Sequence, residues 1–448
     1  MSSATLKKKA VNGAVWTIVG YGFSQSLRLG SNLVLTRLLV PDLFGLMALV
    51  NVFITGLALF SDVGINPSII RSKRGDDPVF LNTAWTIQVV RGFGLWLGCT
   101  IIAFPVSRFY EEPRLLWLIP IVGFNTILDG FNSTSIASLS RHMEISKLTL
   151  FELTGQIISV VAIVTWAWFS PTIWALVGGT AINSCCKLWL SHRLNPGQPN
   201  RLTWNKEVVR EIASFGKWIF LSTAVSFLAT QADRLICGKL FSLSMLGVYT
   251  VAFNFASLPK QVVQKIGDKI IFPVIAQSAE LPRQQLRAKI IKKRWIVLIA
   301  QGVLLTIMVS FGDLLIVHLY DERFIDAAWI LPLLSLGLWP LMLSLTSDKA
   351  LFVLGNPSYV AYGNIFKFIY MLIGLPYGFS QMGVFGAVIV IAFNDIPFYA
   401  AVSYGLWREK LSTIAQDILS TLMLLGAIAV VEGGRYYLGW GLSISGIL

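Results

Sequence analysis

Apolar stretches of about twenty residues follow one another along this chain with little between them, and that repetition restricts the available folds more than any other feature. Twenty helical residues, at ~1.5 Å of rise each, cross the ~30 Å hydrocarbon core of a bilayer. Helices rather than strands are implied, because the runs lack the alternation over about ten residues that marks a membrane barrel. The stretches fall near Asn12 to Leu39, Leu43 to Asp62, Val79 to Pro105, Leu115 to Leu139, Leu148 to Phe169 and Thr172 to Leu190. After a polar loop a second set runs Phe215 to Cys237, Met245 to Pro273, Trp295 to Tyr320, Ala327 to Gly355, Tyr359 to Phe379 and Gly383 to Trp407. A thirteenth helix is expected near Ser412 to Val431, and the remaining Tyr436 to Leu448 is too short to span unaided. Composition agrees. Of 448 residues, 55% are hydrophobic and only 13% charged, against about 25% charged in soluble chains. The expected fold class is an all-α, polytopic membrane protein with almost nothing left for a soluble domain.

Lys and Arg in short loops set orientation, since they are retained on the cytoplasmic side. Alternate loops separate cleanly. One side receives Lys7, Lys8, Lys9, Arg71, Lys73, Arg74, Arg141, Lys147, Arg193, Arg201, Lys206 and Arg210, then Arg283, Arg287, Lys289, Lys292, Lys293, Arg294, Arg408 and Lys410. The opposite loops hold Arg37, Arg108, Arg114, Lys239 and Arg323. The first side is read as the cytoplasm, with the N-terminus there. The net charge of +13 is then mostly a topology signal. A nucleic-acid partner would need basic residues gathered on one soluble face, so none is expected. The three lysines before the first apolar run resemble a signal peptide, but the run is too long and lacks a small-residue cleavage site. Cys99, Cys185, Cys186 and Cys237 fall inside expected helices, and His142, His192 and His318 are isolated. Neither set has metal-ligand spacing, so no metal or cofactor is expected.

The sequence also matches itself, ungapped, at an offset of 202 residues. Trp16 pairs with Trp218, Ser24 with Ser226, Leu33 with Leu235, Leu38 with Leu240, Gly45 with Gly247 and Phe53 with Phe255. Both copies begin on the same side, so two parallel, pseudo-symmetric six-helix lobes are implied, a plan that secondary transporters use. The expected divisions are an N-terminal lobe over 1–192, an inter-lobe loop over 193–214 with Asn-Pro-Gly and Pro-Asn turn signals, a C-terminal lobe over 215–408, and an extra helix with an incomplete last span over 409–448.

A charge at mid-bilayer costs roughly 2.5–3.5 kcal/mol on insertion scales. Arg28, Arg91, Asp129, Lys367 and Asp395 all lie near the centres of expected spans. Tyr21, Gln25, Arg28 and Asn32 follow spacings of four, three and four, which places them on one helical face. Asn125, Asp129 and Asn132 form a second stripe, and Asn254, Ser257, Gln261, Lys265 and Asp268 a third. Such stripes line a hydrophilic path or seal helix contacts. Arg91 with Asp129, and Lys367 with Asp395, sit at similar depth on consecutive spans, so each is a candidate buried ion pair or a functional pair. Asp62 ends the second span, as a turn residue or as a group that couples transport to an ion.

The stretch Leu35-Thr-Arg37-Leu-Leu-Val-Pro41-Asp-Leu-Phe44-Gly45-Leu, with Phe60-Ser-Asp62-Val-Gly64-Ile and Ile69-Ile-Arg71, resembles the N-terminal signature of polysaccharide exporters. These are Wzx-type oligosaccharide flippases of the multidrug/oligosaccharidyl-lipid/polysaccharide superfamily. Asp233-Arg234-Leu-Ile-Cys-Gly238, Leu246-Gly247-Val-Tyr249-Thr-Val-Ala252, Leu258-Pro259 and Phe272-Pro273 resemble the start of that family's second lobe. The resemblance implies twelve to fourteen helices in two lobes around a central cavity, and the bacterial inner membrane as location. It implies an undecaprenyl-diphosphate-linked oligosaccharide as substrate, with membrane lipids and a polysaccharide polymerase as partners.

A diphosphate and its sugars cannot cross hydrocarbon unaided, whereas the polyprenyl tail can stay in lipid. Arginine suits the diphosphate, because its planar fork makes paired, charge-assisted hydrogen bonds to phosphate. Arg28, with Arg91 and Lys367 as further cations, is the expected contact, and Gln25, Asn32 and Tyr21 would meet sugars. The nearest alternative is a multidrug extruder of the same superfamily, whose cavity would be rich in acids; the central charges here are three basic and two acidic. A membrane glycan polymerase or ligase would need a sizeable outer loop carrying a nucleophile and a base. The outer loops are short, and no enzyme is expected.

Overall fold

A computed structural model describes residues 3–194, 200–266, 275, 281–441 and 443. Among them the chain is helical, in the order α1 (Ser3–Leu38), α2 (Pro41–Phe60), α3 (Ile65–Arg71), α4 (Pro78–Tyr110), α5 (Leu115–Gly123), α6 (Asn125–Gly130), α7 (Ser135–Arg141), α8 (Ile145–Phe169), α9 (Ile173–Arg193) and α10 (Lys206–Leu240). There follow α11 (Leu243–Ala256), α12 (Leu258–Ile266), α13 (Arg283–Leu319), a 3-10 turn at Glu322–Phe324, α14 (Ala327–Gly337), α15 (Trp339–Leu345), α16 (Lys349–Val353), α17 (Ser358–Ala392), α18 (Ile396–Arg408) and α19 (Ile414–Tyr437). The protein is a polytopic, all-α membrane protein. Among the described residues eight segments are long and apolar enough to cross a bilayer on their own, and the bent pair Leu115–Gly130 and Ser135–Arg141 makes a ninth.

The difference from the thirteen stretches expected has local causes. Ser358–Arg408 counts as one segment of 51 residues, yet the chain doubles back inside it. Met382 leaves helical geometry and Gly383 takes φ +59, a left-handed angle that suits a residue without Cβ. Beyond this turn a Cβ on Gly386 would meet the Gly378 carbonyl oxygen at 2.1 Å, and one on Gly374 would meet Val390 at 3.0 Å. The legs are therefore antiparallel neighbours, and two spans are joined by a two-residue turn. The polar helix α1 falls below the apolarity of a lone span, the side chains of residues 215–222 in α10 lie outside the described residues, and α11 with α12 is described only as far as Ile266. Asp268, Phe272 and Pro273 lie outside the described residues, as do most of the turn residues between Leu194 and Asn200.

The internal repeat is visible in the helix boundaries. α1 ends at Leu38 and α10 at Leu240, and α2 starts at Pro41 and α11 at Leu243, both at the offset of 202. The start of α2 follows from Pro41 at its first position, where the missing N–H has no helical partner to lose. At the start of α4 the Asp77 carboxylate accepts from Val79 N at 3.0 Å, supplying the side-chain acceptor that a helix N-terminus lacks. That backbone bond, and then the Arg74 guanidinium, hold its carboxyl below the usual range.

The chain divides into two compact units, Met1–Ala224 and Val225–Leu448, with the division inside α10. In the N-terminal unit α1 lies along α8. Gly20 allows this, since a Cβ there would be 2.2 Å from Thr149. One turn on, Ser24 Oγ donates to Gln156 Oε1 at 2.6 Å and Gln156 Nε2 donates to the Ser24 carbonyl at 3.0 Å. Arg141, at the end of α7, caps α3: its Nη1 donates to the carbonyls of Ile69, Ile70 and Ser72, and its Nε reaches Asp76 at 3.1 Å.

In the C-terminal unit, buried ion pairs fix helices. Arg294, expected on sequence to belong to an exposed basic loop, is only 2% exposed. Its Nη1 meets Asp417 Oδ1 on α19 at 2.5 Å, while Nε donates to Thr346 Oγ1 and Nη2 to the Leu343 carbonyl. At the far end of the same two helices Arg435 forks onto Asp313, at 2.6 and 2.9 Å, and also bonds the Ser310 carbonyl. The desolvation of such charges is offset only when every donor finds an acceptor. Here the carbonyls and hydroxyls of neighbouring helices supply acceptors for Arg294, while Arg435 Nε has none among the described residues.

Candidate functional site: a polar cavity in the N-terminal unit

A polar cavity of about 350 Å³ lies inside the N-terminal unit. Its walls come from the end of α2 (Ala58, Asp62), the start of α3 (Asn66), the middle of α4 (Gln88, Arg91), and the α6–α7 segment (Asp129, Asn132). Two interruptions of helix create it. After α2, Asp62 Oδ1 accepts from Gly64 N at 2.9 Å, and Gly64 turns at φ 66 before α3 begins. Asp62 is therefore a turn residue, and it also faces the cavity. Between α6 and α7 the helix breaks at Phe131–Thr134 with a bend of 60°. A break frees carbonyls, which membrane proteins tolerate only where protein or water satisfies them. Gln88 Nε2 donates to the carbonyls of Asp129, Gly130 and Asn132 at 3.2, 3.1 and 3.0 Å, and Trp85 Nε1 donates to that of Phe131. The ring of His192 also lies 3.0 Å from the Phe131 carbonyl.

Arg91 and Asp129 both line the cavity, but no ion pair joins them among the described residues. Arg91 Nε donates to Ser61 Oγ at 3.0 Å and Nη2 to the Ala58 carbonyl at 2.6 Å. The reason is the end of α2, whose last carbonyls lack helical donors and carry the negative end of the helix dipole. Nη1 makes no hydrogen bond among the described residues, and Asp62 on the same cavity wall is near enough to act on the guanidinium by charge. Asp129 instead has Ser184 and Asn132 within hydrogen-bonding reach and Lys187 as its nearby positive charge.

Of the first stripe, Gln25 Nε2 donates to Tyr21 Oη at 2.8 Å, and Tyr21, Gln25 and Asn32 are half-buried. Arg28 is exposed, with no ion pair among the described residues. Lys367 goes the other way: its Nζ meets Asp395 Oδ1 at 2.6 Å, and both are buried in the C-terminal unit. Around that pair is a much smaller space of about 40 Å³, also lined by Asp233, Asn394 and Lys260. Asp233 accepts from Tyr249 Oη at 2.5 Å. The third stripe is split by the junction of α11 and α12, where Gln261 Nε2 donates to Ser257 Oγ; the Lys265 side chain and Asp268 lie outside the described residues.

Sequence reasoning missed Gln88, Trp85 and Ser61, although they hold the site's backbone and its arginine. A signal was present for the first two, because Asn132-Ser-Thr-Ser135 interrupts an apolar span with residues that favour turns. Ser61 carried none apart from its place at a helix end.

Among the described residues no group of three or more His, Cys, Asp or Glu could hold a metal ion. The fold is similar to those of solved multi-pass membrane transporters. It is similar to the lipid II flippase MurJ in an inward closed conformation, with a TM-score of 0.69 and 14% identity over 93% of this chain and 92% of that one. It is also similar to a multidrug resistance MATE family transporter in its inward-facing conformation, with a TM-score of 0.64 and 15% identity over 85% of this chain and 94% of that one. The chain belongs to the polysaccharide biosynthesis protein family, whose model matches residues 34–329. Relatives include the lipopolysaccharide biosynthesis protein WzxC of Escherichia coli K12, 23% identical over 279 residues, which are 61% of this chain and 56% of that protein. The succinoglycan biosynthesis transport protein ExoT of Rhizobium meliloti is 21% identical over 61% of this chain and 55% of its own length. The matched stretch thus spans little more than half of these two relatives.

Proposed function

We propose that the protein moves a polyprenyl-diphosphate-linked oligosaccharide, undecaprenyl being the lipid, from the cytoplasmic to the outer leaflet of the bacterial inner membrane, by alternating access and without covalent chemistry. The observation that carries this reading is the cavity of about 350 Å³ lined by Arg91, whose described hydrogen bonds use Nε and Nη2 and leave Nη1 without one. An intramembrane guanidinium is costly unless water hydrates it or an anion arrives, and a diphosphate is such an anion. Family membership and the names of the relatives, which concern lipopolysaccharide and succinoglycan, support the same substrate class.

In this reading Arg28 and Arg91 contact the diphosphate, and Tyr21, Gln25 and Asn32 contact sugars. Asp129 and Asp62 are the acids available for coupling transport to an ion. Lys367 and Asp395 serve packing. The N-terminus is cytoplasmic, and a polysaccharide polymerase receives the delivered glycan on the outer side. The test is a strain lacking the protein, which should accumulate lipid-linked oligosaccharide on the cytoplasmic leaflet and recover on complementation. An unchanged glycolipid distribution with altered dye resistance would overturn the proposal in favour of drug extrusion. Orientation is tested separately with single cysteines: those at Asn200 and Gln284 should be shielded from impermeant reagents in sealed cells, and those at Ser170 and Gln381 should react.

A further inference from the structure

The two buried ion pairs between α13 and α19 enclose something. Arg294–Asp417 pins the helices at one end and Asp313–Arg435 at the other, yet between these staples the helices leave an apolar groove of about 230 Å³. Trp295, Ile299, Val303 and Ile307 line it from α13, and Met423 and Ala427 from α19. Gly302 widens its wall, since a Cβ there would meet nothing within 4 Å. Thr306 and Ser420 also line the groove, but their hydroxyls donate to carbonyls of their own helices, Gly302 and Asp417. A wall that could have offered hydrogen bonds is therefore left apolar. From Trp295 to Ile307 it runs roughly 18 Å at ~1.5 Å per residue, close to the ~15 Å depth of hydrocarbon in one leaflet.

One end of the groove is strongly charged. Lys289 and Lys292 precede Trp295, Ile299 and Gly302 at helical spacings of three and four, so they continue the groove's own face of α13 beyond the Arg294 staple. Lys293 adjoins them, and all three lysines are exposed. No ion pair involves Lys292 or Lys293 among the described residues. On the orientation proposed above this end faces the cytoplasmic leaflet.

We infer that α13 and α19 form a binding site for a phospholipid with an anionic headgroup, one acyl chain lying in the groove and the phosphate at Lys292 and Lys293. Charge complementarity selects this occupant over a neutral lipid, because lysines near the membrane surface attract anionic headgroups. The groove's length, matched to one leaflet, selects an acyl chain over the far longer polyprenyl tail of the proposed substrate.

The full-length protein in phosphatidylcholine nanodiscs tests this, with native mass spectrometry reading retained phosphatidylglycerol against added phosphatidylcholine. The parent should retain phosphatidylglycerol roughly tenfold or more in preference. The double variant Lys292→Gln/Lys293→Gln, changed only at exposed positions, should lose that preference. Gly302→Leu, placed in open space, should reduce retention of the lipid itself, and adding the lysine changes to it should have little further effect, because both act on one bound molecule. Equal retention of both lipids by the parent, or an unchanged preference in the lysine variant, overturns the site. Displacement of phosphatidylglycerol by undecaprenyl phosphate at equal concentration also overturns it, by assigning the groove to the substrate's tail. None of these readouts requires transport, so failure here leaves the flippase reading standing, and the reverse holds as well.

Discussion

Three buried cations of the C-terminal unit and two arginines of the N-terminal unit are handled in opposite ways. In the C-terminal unit Lys367, Arg294 and Arg435 each end on an aspartate, at 2.6, 2.5 and 2.6 Å, with little or no exposure. In the N-terminal unit Arg28 is exposed and Arg91 borders a cavity, bonded to a helix end rather than to an acid. A paired charge is silent toward ligands but fixes the helices that carry it. An unpaired one costs stability and remains able to bind. The contrast separates a unit built to keep its shape from one that keeps its electrostatics available.

The largest expected effect comes from breaking a pair. Asp417→Ala strands Arg294 and should lower stability by about 3–5 kcal/mol, read as thermal unfolding in detergent. Combining it with Arg294→Met should recover most of the loss. If the single variant unfolds like the parent, the pair fixes nothing and the contrast fails. Next come the open arginines. Arg28→Ala and Arg91→Ala should each lose about 1.5–3 kcal/mol of substrate binding, or roughly tenfold or more in affinity. Membrane levels should stay normal, and the lysine variants should keep a measurable part of glycan export. Normal export by both alanine variants would remove the N-terminal unit's claim to the substrate.

A smaller change sharpens the comparison. Gln88→Leu removes the donor shared by three carbonyls, at a cost of about 1–3 kcal/mol if nothing replaces it. Water in the cavity would take over part of that role, so a loss near the low end is expected, whereas a dry cavity would give the high end. The smallest effect concerns Asp77. Asp77→Ala should cost about 0.5–2 kcal/mol by uncapping α4. Because the folded carboxyl is held below its ordinary value, this contribution is complete above the unfolded value near ~3.9 and is lost as pH falls through the folded one. Hydrogen exchange in the first turn of α4 should therefore match in parent and variant only at the acid end.

The sequence made the fold legible wherever the cause was local. Span lengths and the turn before Gly383 follow from residues close together in the chain, and the offset of 202 is visible because both copies keep the same local pattern. It also put Lys367 and Asp395 at one depth, because a tight turn leaves consecutive spans little freedom. Where the cause was distant the reading ran out. Asp417 lies 123 positions beyond Arg294, so nothing nearby marked that arginine as buried. Arg91 had an acid at matching depth in Asp129 and took a helix end instead, since bare carbonyls compete with carboxylates and leave no mark in composition. Gln88 was passed over because a single amide on an apolar span has no pattern until the broken helix it serves is known.

The turn at Gly383 bears on how the chain enters the membrane at all. Lys367 and Asp395 are 28 residues apart, a length synthesised in a few seconds at ~5–20 residues per second. Each leg alone would carry a charge into hydrocarbon at a cost of roughly 2.5–3.5 kcal/mol. Joined by two residues, with glycines where the legs touch, they can enter as one hairpin whose charges have already met. The lysine then burdens insertion only for as long as the ribosome takes to deliver its partner.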